Sequence, residues 1–231
     1  SLLLEMFSRN YGRMTVMAKG VKRKKSRTLG ILVPFQSLIV AWSGGGDVKT
    51  LTNAESLTLR KEIEGERLFC GYYINELILR MLHRNDPHEV LFGAYELALE
   101  GLIRETDLER TLRIFEKRLL QELGYGLHLS SDTRSGAAIE SSARYRYVAE
   151  LGPVIDNGEE GTGVMLHGES LQALRDEEQF SGLHRRELKR LTRVTLDRHL
   201  EGRPLHSRGL FSRLFPQKDQ HTDLRKRQAG G

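Results

Sequence analysis

The sequence predicts an α+β protein, with a small N-terminal β-barrel followed by an α-helical domain. Three observations predict it. Residues 1–58 are short apolar–polar alternations punctuated by Gly-rich turns. Residues 65–123 place apolar side chains at the three- and four-residue spacing of helices. Charge is also segregated along the chain. Residues 1–60 carry 10 basic and 3 acidic residues, net +7. Residues 61–182 carry 13 and 23, net −10, and residues 183–231 carry 13 and 5, net +8. A uniformly solvated surface has no need of such an arrangement, whereas two basic ends around an acidic middle suit polyanion binding.

A chain of 231 residues is long enough for two small domains, and 39% hydrophobic with 29% charged residues is a globular composition. The single cysteine, Cys70, excludes an internal disulfide and a Cys-based zinc finger, and one free thiol suits a reducing cytoplasm. No apolar run approaches the length of a membrane span. Ser1 opens the chain already inside the apolar run Leu2-Leu3-Leu4, so the protein is expected to begin earlier and a first strand to be missing.

In the N-terminal part, Leu2, Leu4 and Met6 alternate with Leu3, Glu5 and Phe7, and Arg9-Asn10-Tyr11-Gly12 is a turn. The next strand, Arg13 to about Lys19, puts Met14, Val16 and Ala18 on one face. A basic loop follows, in which Lys19, Lys22, Arg23, Lys24, Lys25 and Arg27 are six cations in nine residues with no acid among them. Held between strand-like segments, such a loop reads as a phosphate binder rather than a solubilising tail. A strand is expected over Phe35 to Trp42, then a hairpin turn at Gly44-Gly45-Gly46-Asp47, then a strand from Val48 to Ala54. Phe35 is expected in the core; Trp42 suits the core or an exposed base-stacking face equally.

The helical part starts with a helix from about Glu66 to His83, stacking Phe69, Tyr73, Leu77 and Met81. A second helix is expected with Asp86 as N-cap, Pro87 at the first helical position and Glu89 completing a capping box. Thr106-Asp107-Leu108-Glu109 reads as another box, opening a helix that carries Leu112, Phe115, Leu119 and Leu123 and stops at Gly124. About 127–168 is expected to be an irregular insert with a strand at Tyr145–Val148. Helical pattern returns near Ser170, again from Ser181 or Gly182 to Leu200, and from Ser207 to Leu214. The helical domain is thus expected to span 61–216, with 217–231 a disordered basic tail.

Catalytic patterns are missing. No serine sits in a nucleophile elbow, Cys70 lies on an apolar helical face, and Gly44-Gly45-Gly46 lacks the Lys-Ser/Thr of a phosphate-binding loop. The eight histidines have no partners at zinc-ligand spacing, and the carboxylates fall on helix surfaces and caps rather than in a metal cluster. No catalytic residue, cofactor or metal is expected. One helical face is distinctive. Arg113 and Lys117 lie four apart, Arg110 precedes them by a turn, and Leu112, Phe115 and Leu119 run alongside. Spacing alone favours an ordinary amphipathic helix, with Glu109, Glu116 and Glu122 pairing those cations, over a groove for an acidic peptide.

Five segments carry a family resemblance: G-R-M-T-V-M-A-K-G-V-K-R-K-K-S (12–26), L-V-P-F-Q-S-L-I-V-A-W-S-G-G-G-D-V-K-T-L-T-N-A-E (32–55), G-Y-Y-I-N-E-L-I-L-R (71–80), L-R-I-F-E-K-R-L-L-Q-E-L-G-Y-G (112–126) and G-R-P-L-H-S-R-G-L-F (202–211). Together they resemble the bacterial RecO recombination-mediator family over nearly the whole chain. The resemblance implies an N-terminal OB-fold, here without its first strand, and a helical domain. It implies binding of single- and double-stranded DNA, strand annealing, and partnership with RecR and single-strand-binding protein to load RecA. Many members carry four zinc-binding cysteines after the Leu-Gly-Tyr-Gly element, but Leu127 to Arg146 contains none, so zinc is expected to be absent. The family takes the acidic tail of single-strand-binding protein on its helical domain. Arg113 stands at the matching position of the Leu-Arg-x-Phe-Glu element, which turns the reading of Arg110, Leu112, Arg113, Phe115 and Lys117 toward that tail.

The resulting expectation is a non-enzymatic, cytoplasmic and nucleoid-associated DNA-binding mediator. Arg13, Lys19, Lys22 to Lys25 and Arg27 would hold DNA backbone, and Arg203, Arg208 and Arg213 would extend the track. The rival readings are an RNA- or ribosome-associated OB-fold protein and a metal-dependent nuclease. Each phosphate contact contributes about 0.9 to the salt slope on duplex DNA and about 0.7 on single strands. Replacing Lys22, Arg23, Lys24 and Lys25 with Ala is therefore expected to flatten log K against log salt by about 2–4 units in a fluorescence-anisotropy titration. An unchanged slope would remove the loop from the interface.

Overall fold

The computed structural model describes residues 1–21, 28–58, 63–158, 160–200 and 202–214. Strands β1 (Leu2–Ser8), β2 (Gly12–Ala18), β3 (Leu38–Ser43) and β4 (Val48–Ser56) form one sheet in the order β1-β2-β4-β3. β2 and β4 run parallel, and the other neighbours are antiparallel. Among the described residues β1 and β3 stand at the edges of this sheet, and a sheet followed by helices is the α+β order the sequence predicts, an N-terminal OB-fold domain without its first strand and then a helical domain. Ala18, Val21 and Leu32 form its apolar cluster with Leu2, Leu4, Leu38 and Leu51 around them. β3 starts at Leu38, three residues later than its apolar pattern. The chain turns after Pro34, Phe35 takes a left-handed φ of 64°, and the Gln36 amide donates to the Val33 carbonyl. The Phe35 ring is half-buried and docks on Gly71, where an added Cβ would stand 2.9 Å from it.

Three helices follow: α1 (Gly65–Met81), α2 (Glu89–Arg104) and α3 (Leu108–Glu122). Their apolar residues make the largest core, with Ile74, Leu77, Leu91, Leu102 and Leu119 wholly buried. Each such side chain contributes about 1.5–3 kcal/mol of transfer free energy. Two caps differ from the sequence pattern. α2 begins at Glu89 with His88 as N-cap, because Asn85 and Asp86 belong to the docking turn with β2. α3 is capped by Asp107 rather than Thr106, its carboxylate accepting from the Arg110 amide.

The sheet is fastened to the helices at that docking turn. The Asn85 amide donates to the Arg13 carbonyl at 2.8 Å. Gly12 has φ +64°, and a Cβ there would lie 1.8 Å from the Asp86 carbonyl oxygen, so only glycine permits the approach. Phe7 adds aromatic contacts to Phe92 and Tyr95 at centroid distances of 5.4 and 5.7 Å.

Residues 127–168 are irregular only up to Ala143. They contain a second sheet of β5 (Arg144–Val148), β6 (Gly152–Ile155) and β7 (Val164–His167), antiparallel in the order β6-β5-β7. α4 (Gly168–Arg175), α5 (Gly182–His199) and α6 (His206–Leu214) complete the fold. α5 is shared between two cores: Leu188 and Leu191 pack with Tyr145, Leu166 and Leu174, while Leu196 joins the core of α1–α3. Ser207 lies inside the first turn of α6. The carboxylate of Glu76 on α1 takes up the His206 and Ser207 amides, both at 2.9 Å.

The loop before β5 is held by one buried carboxylate. Asp132 accepts from the Arg134 and Ser135 amides, the Ser135 hydroxyl and, across to β6, the Ile155 amide. Burial pushes this carboxyl up, but the donors of Ser135, Ile155 and Arg134 together hold it below its ordinary 3.8. A depressed folded-state pKa contributes stability that is present above the unfolded value and lost as pH falls through the folded one. Asp132→Asn is expected to cost about 1.5–3 kcal/mol at neutral pH. In urea titrations of both proteins the gap is expected to shrink once pH drops below 3.8. A gap independent of pH would assign the loss to shape rather than charge.

Candidate nucleic-acid interface

The cations expected to hold DNA separate into three groups. Lys19 is exposed beyond the end of β2, and Arg203 is exposed between α5 and α6. Lys22, Arg23, Lys24, Lys25 and Arg27 lie outside the described residues, as does the side chain of Arg213. Arg13 and Arg208 require correction, because both are built into the protein. Arg13 donates to Glu5 at 3.2 Å and to the carbonyls of Leu79 and Leu82 at 2.7 and 3.2 Å. It ties β2 to the end of α1 instead of facing solvent. Arg208 lies over the Tyr73 ring at 5.7 Å and bonds Asp197, which holds α6 against α1 and α5.

The structure presents other cations that the sequence reading passed over. On α5, Arg185 pairs with Asp107, Lys189 with Glu109 and Arg198 with Glu150. Arg186, Arg190 and Arg193 project from the solvent side of the same helix at i, i+4 and i+7. Arg193 reaches Asp197 at 3.7 Å, while Arg186 and Arg190 have no ion pair among the described residues. The signal was available as the polar complement of the Leu188, Leu191, Leu196 stripe.

The α3 face also differs from expectation. Leu112 and Phe115 are buried in the main core, and Arg113 is 5% exposed. Its guanidinium donates to Glu116 at 2.6 Å, and the Tyr73 hydroxyl donates to the same oxygen at 2.6 Å. Glu116 has no exposed surface. Burial, reinforced by that carboxylate, pushes the Tyr73 hydroxyl well above its ordinary range. Arg113 therefore cannot rim an open groove; it neutralises a carboxylate inside the bundle.

Lys117 donates to the Leu174 and Arg175 carbonyls at 3.0 and 3.2 Å and pairs with Glu177 at 2.8 Å. Arg110 bonds the carbonyls of Glu177 and Glu178, and Arg118 grips the Glu177 carboxylate with two nitrogens. The acidic segment these cations hold is the chain's own turn after α4. Burial raises the Glu177 carboxyl, but Arg118 and Lys117 together bring it below its ordinary value. A groove of about 340 Å³ does open beside them, between α2 and α3, with Leu97, Ile114 and Phe115 on its floor and Arg104, Arg110 and Arg118 around it.

Cys70 is buried, and burial pushes its thiol up to about 12, which leaves it protonated and unreactive at neutral pH. Among the described residues, no three His, Cys, Asp or Glu side chains gather as a metal site, and no helix is long and apolar enough to cross a membrane.

Comparison with known proteins decides the family. The family model for the recombination protein O N terminal matches residues 1–60, and that for the recombination protein O C terminal matches residues 64–209. The chain belongs to the RecO family. Relatives named DNA repair protein RecO include that of Methylococcus capsulatus, 44% identical over 211 residues, covering 91% of this chain and 86% of the relative. That of Dechloromonas aromatica is 45% identical over 223 residues, covering 93% and 89%. That of Nitrosospira multiformis is 41% identical over 212 residues, covering 91% and 88%.

The buried pair gives a prediction opposite to a surface role. Arg113→Ala leaves Glu116 charged and uncompensated in the bundle, an arrangement that costs about 3–5 kcal/mol. Denaturant unfolding of the variant is expected to show that loss. Full stability with Arg113→Ala would mean that the guanidinium is not buried.

Proposed function

We propose that this protein is a DNA repair and recombination mediator. It binds single- and double-stranded DNA, anneals complementary strands and, with RecR, helps load RecA onto DNA coated with single-strand-binding protein. The observation that carries the reading is that both RecO family models match the chain in order and that its relatives are named for DNA repair. Charge supports it: the net +7 of residues 1–60 and the exposed arginines of α5 suit a phosphate backbone, and the acidic middle does not. Lys19, Lys22 to Lys25 and Arg27 hold backbone at the N-terminal sheet. Arg203, Arg213 and the α5 stripe extend the contact, while Arg13 and Arg208 support it from within.

The acidic tail of single-strand-binding protein docks in the groove between α2 and α3. Of the side chains first assigned to it, Arg110 and Phe115 line that groove, whereas Leu112, Arg113 and Lys117 turn away from it. Arg104, with 70% of its side chain exposed and paired with Glu100 at 3.0 Å, and Arg118 complete the basic side of a rim that Glu100, Glu105 and Glu177 share, so a docking carboxylate takes the place of Glu100 on Arg104. An arginine–carboxylate hydrogen bond contributes about 1.5–3 kcal/mol.

The test is annealing of complementary oligonucleotides coated with single-strand-binding protein, with strand integrity checked in Mg²⁺. Faster annealing with intact strands is expected. Arg104→Ala is expected to weaken a labelled tail peptide by about 10-fold, one decade per ~1.4 kcal/mol, with little effect on bare DNA. RNA outcompeting DNA, or Mg²⁺-dependent cleavage, would overturn the reading.

A further inference from the structure

We propose that Tyr11 and Trp42 form a base-stacking site for single-stranded DNA; the proposal rests on the DNA-binding reading above and gives it a mode. The two rings meet edge to face, with centroids 4.9 Å apart and planes at 90°. Such a geometry inside a core would leave both rings covered. Here Tyr11 is 54% exposed and Trp42 is only half-buried on the edge strand β3. Exposed aromatic faces on a nucleic-acid-binding sheet are what unstacked bases need, because every base has a π-face and stacks without regard to sequence.

The pair is also held rigidly. Tyr11 immediately precedes Gly12, whose backbone is pinned against Asp86, and Arg13, whose carbonyl is bonded by Asn85. Trp42 stands at the β-bulge that shifts the β3–β4 register between Ala41 and Trp42. A platform ordered before binding loses little entropy when a base settles on it. After Trp42 the chain runs into Gly44, Gly45 and Gly46, where an added Cβ would meet nothing within 4 Å.

Charge complementarity favours a nucleic acid over an apolar peptide as the occupant. Residues 1–60 contain only three acids, Glu5, Asp47 and Glu55. Glu5 is taken up by Thr15, Arg13 and Arg84. Of the acids near Tyr11 in the helical domain, Glu96 and Glu89 are held by Arg9 at 3.0 and 3.9 Å and Asp86 lies 3.4 Å from His88, while the sequence from Lys19 to Arg27 supplies six cations. Single strands are favoured over duplex because duplex bases already stack on one another and offer no free face.

Trp42 is the only tryptophan in the chain, so its fluorescence reports this one site. The experiment titrates the intact protein with oligo(dT) and with a duplex of the same length, reading Trp42 emission and anisotropy of labelled DNA in parallel. Oligo(dT) is expected to quench Trp42 and the duplex to leave its emission unchanged. Tyr11→Ala is expected to weaken oligo(dT) by about 10-fold and duplex by less than about twofold, while Tyr11→Phe keeps the affinity, since stacking needs the ring and not the hydroxyl. Oligo(dT) binding without quenching overturns the stacking site and leaves the DNA-binding reading standing. Equal losses on oligo and duplex with Tyr11→Ala overturn it likewise, as does quenching by an apolar peptide alone. Failure of the wild-type protein to bind either DNA overturns the DNA-binding reading itself. The wild-type quenching arm holds even where Tyr11→Ala fails to fold.

Discussion

One ion pair organises the helical domain. Glu116 has no exposed surface, and a lone carboxylate there would be prohibitively unfavourable. Arg113 from the same helix and Tyr73 from α1 converge on one of its oxygens, each at 2.6 Å. Arg208 of α6 then lies over the Tyr73 ring and reaches Asp197 of α5. Four helices are thereby registered around one charge. The other Glu116 oxygen and the Arg113 Nε are buried with no hydrogen-bond partner among the described residues, so the cluster defines the packing more than it stabilises it.

A second constraint carries that rigidity to the sheet. Glu5 collects Thr15, Arg13 and Arg84, and Arg13 continues to the carbonyls at the end of α1. Gly12 lets the β1–β2 turn sit directly on the Asp86 backbone, and the Phe7 and Phe35 rings close the sides. The surface of the sheet is consequently positioned by the helices behind it. A ligand there meets a prepared surface, whereas an isolated small sheet would first have to be ordered.

The elements with strong periodicity were legible in the sequence. α1, α3 and α5 lie where their apolar spacing puts them, and β2 buries Met14, Val16 and Ala18 as its alternation requires. The second sheet was mostly not legible. β6 and β7 are four residues each, too short for a period to show, and the loop beside them is closed by the hydrogen bonds of one aspartate. The caps of α2 and α3 slipped by two residues and one, the first because Asp86 is taken up in the turn that docks on Gly12. Arg113 was misread for a different reason. Helical spacing gives the face of Arg113 but not which element covers that face, and here α1 and α6 do.

The fate of the cations follows the segregation of charge. In the acidic middle nearly every basic side chain described has a carboxylate or carbonyl to hold: Arg67, Arg110, Arg113, Lys117 and Arg118 all do. Cations so bound give little to a phosphate, because the internal partner must first be released. Exposed and less committed cations are found where the sequence has few acids to meet them, at Lys19 and along the outer side of α5. Burial and pairing, rather than the count of Arg and Lys, therefore sort a structural cation from a binding one. The same sorting separates Arg13 from Lys19, six residues apart on the same strand and turn. One secures the sheet, and the other is exposed just beyond the end of β2.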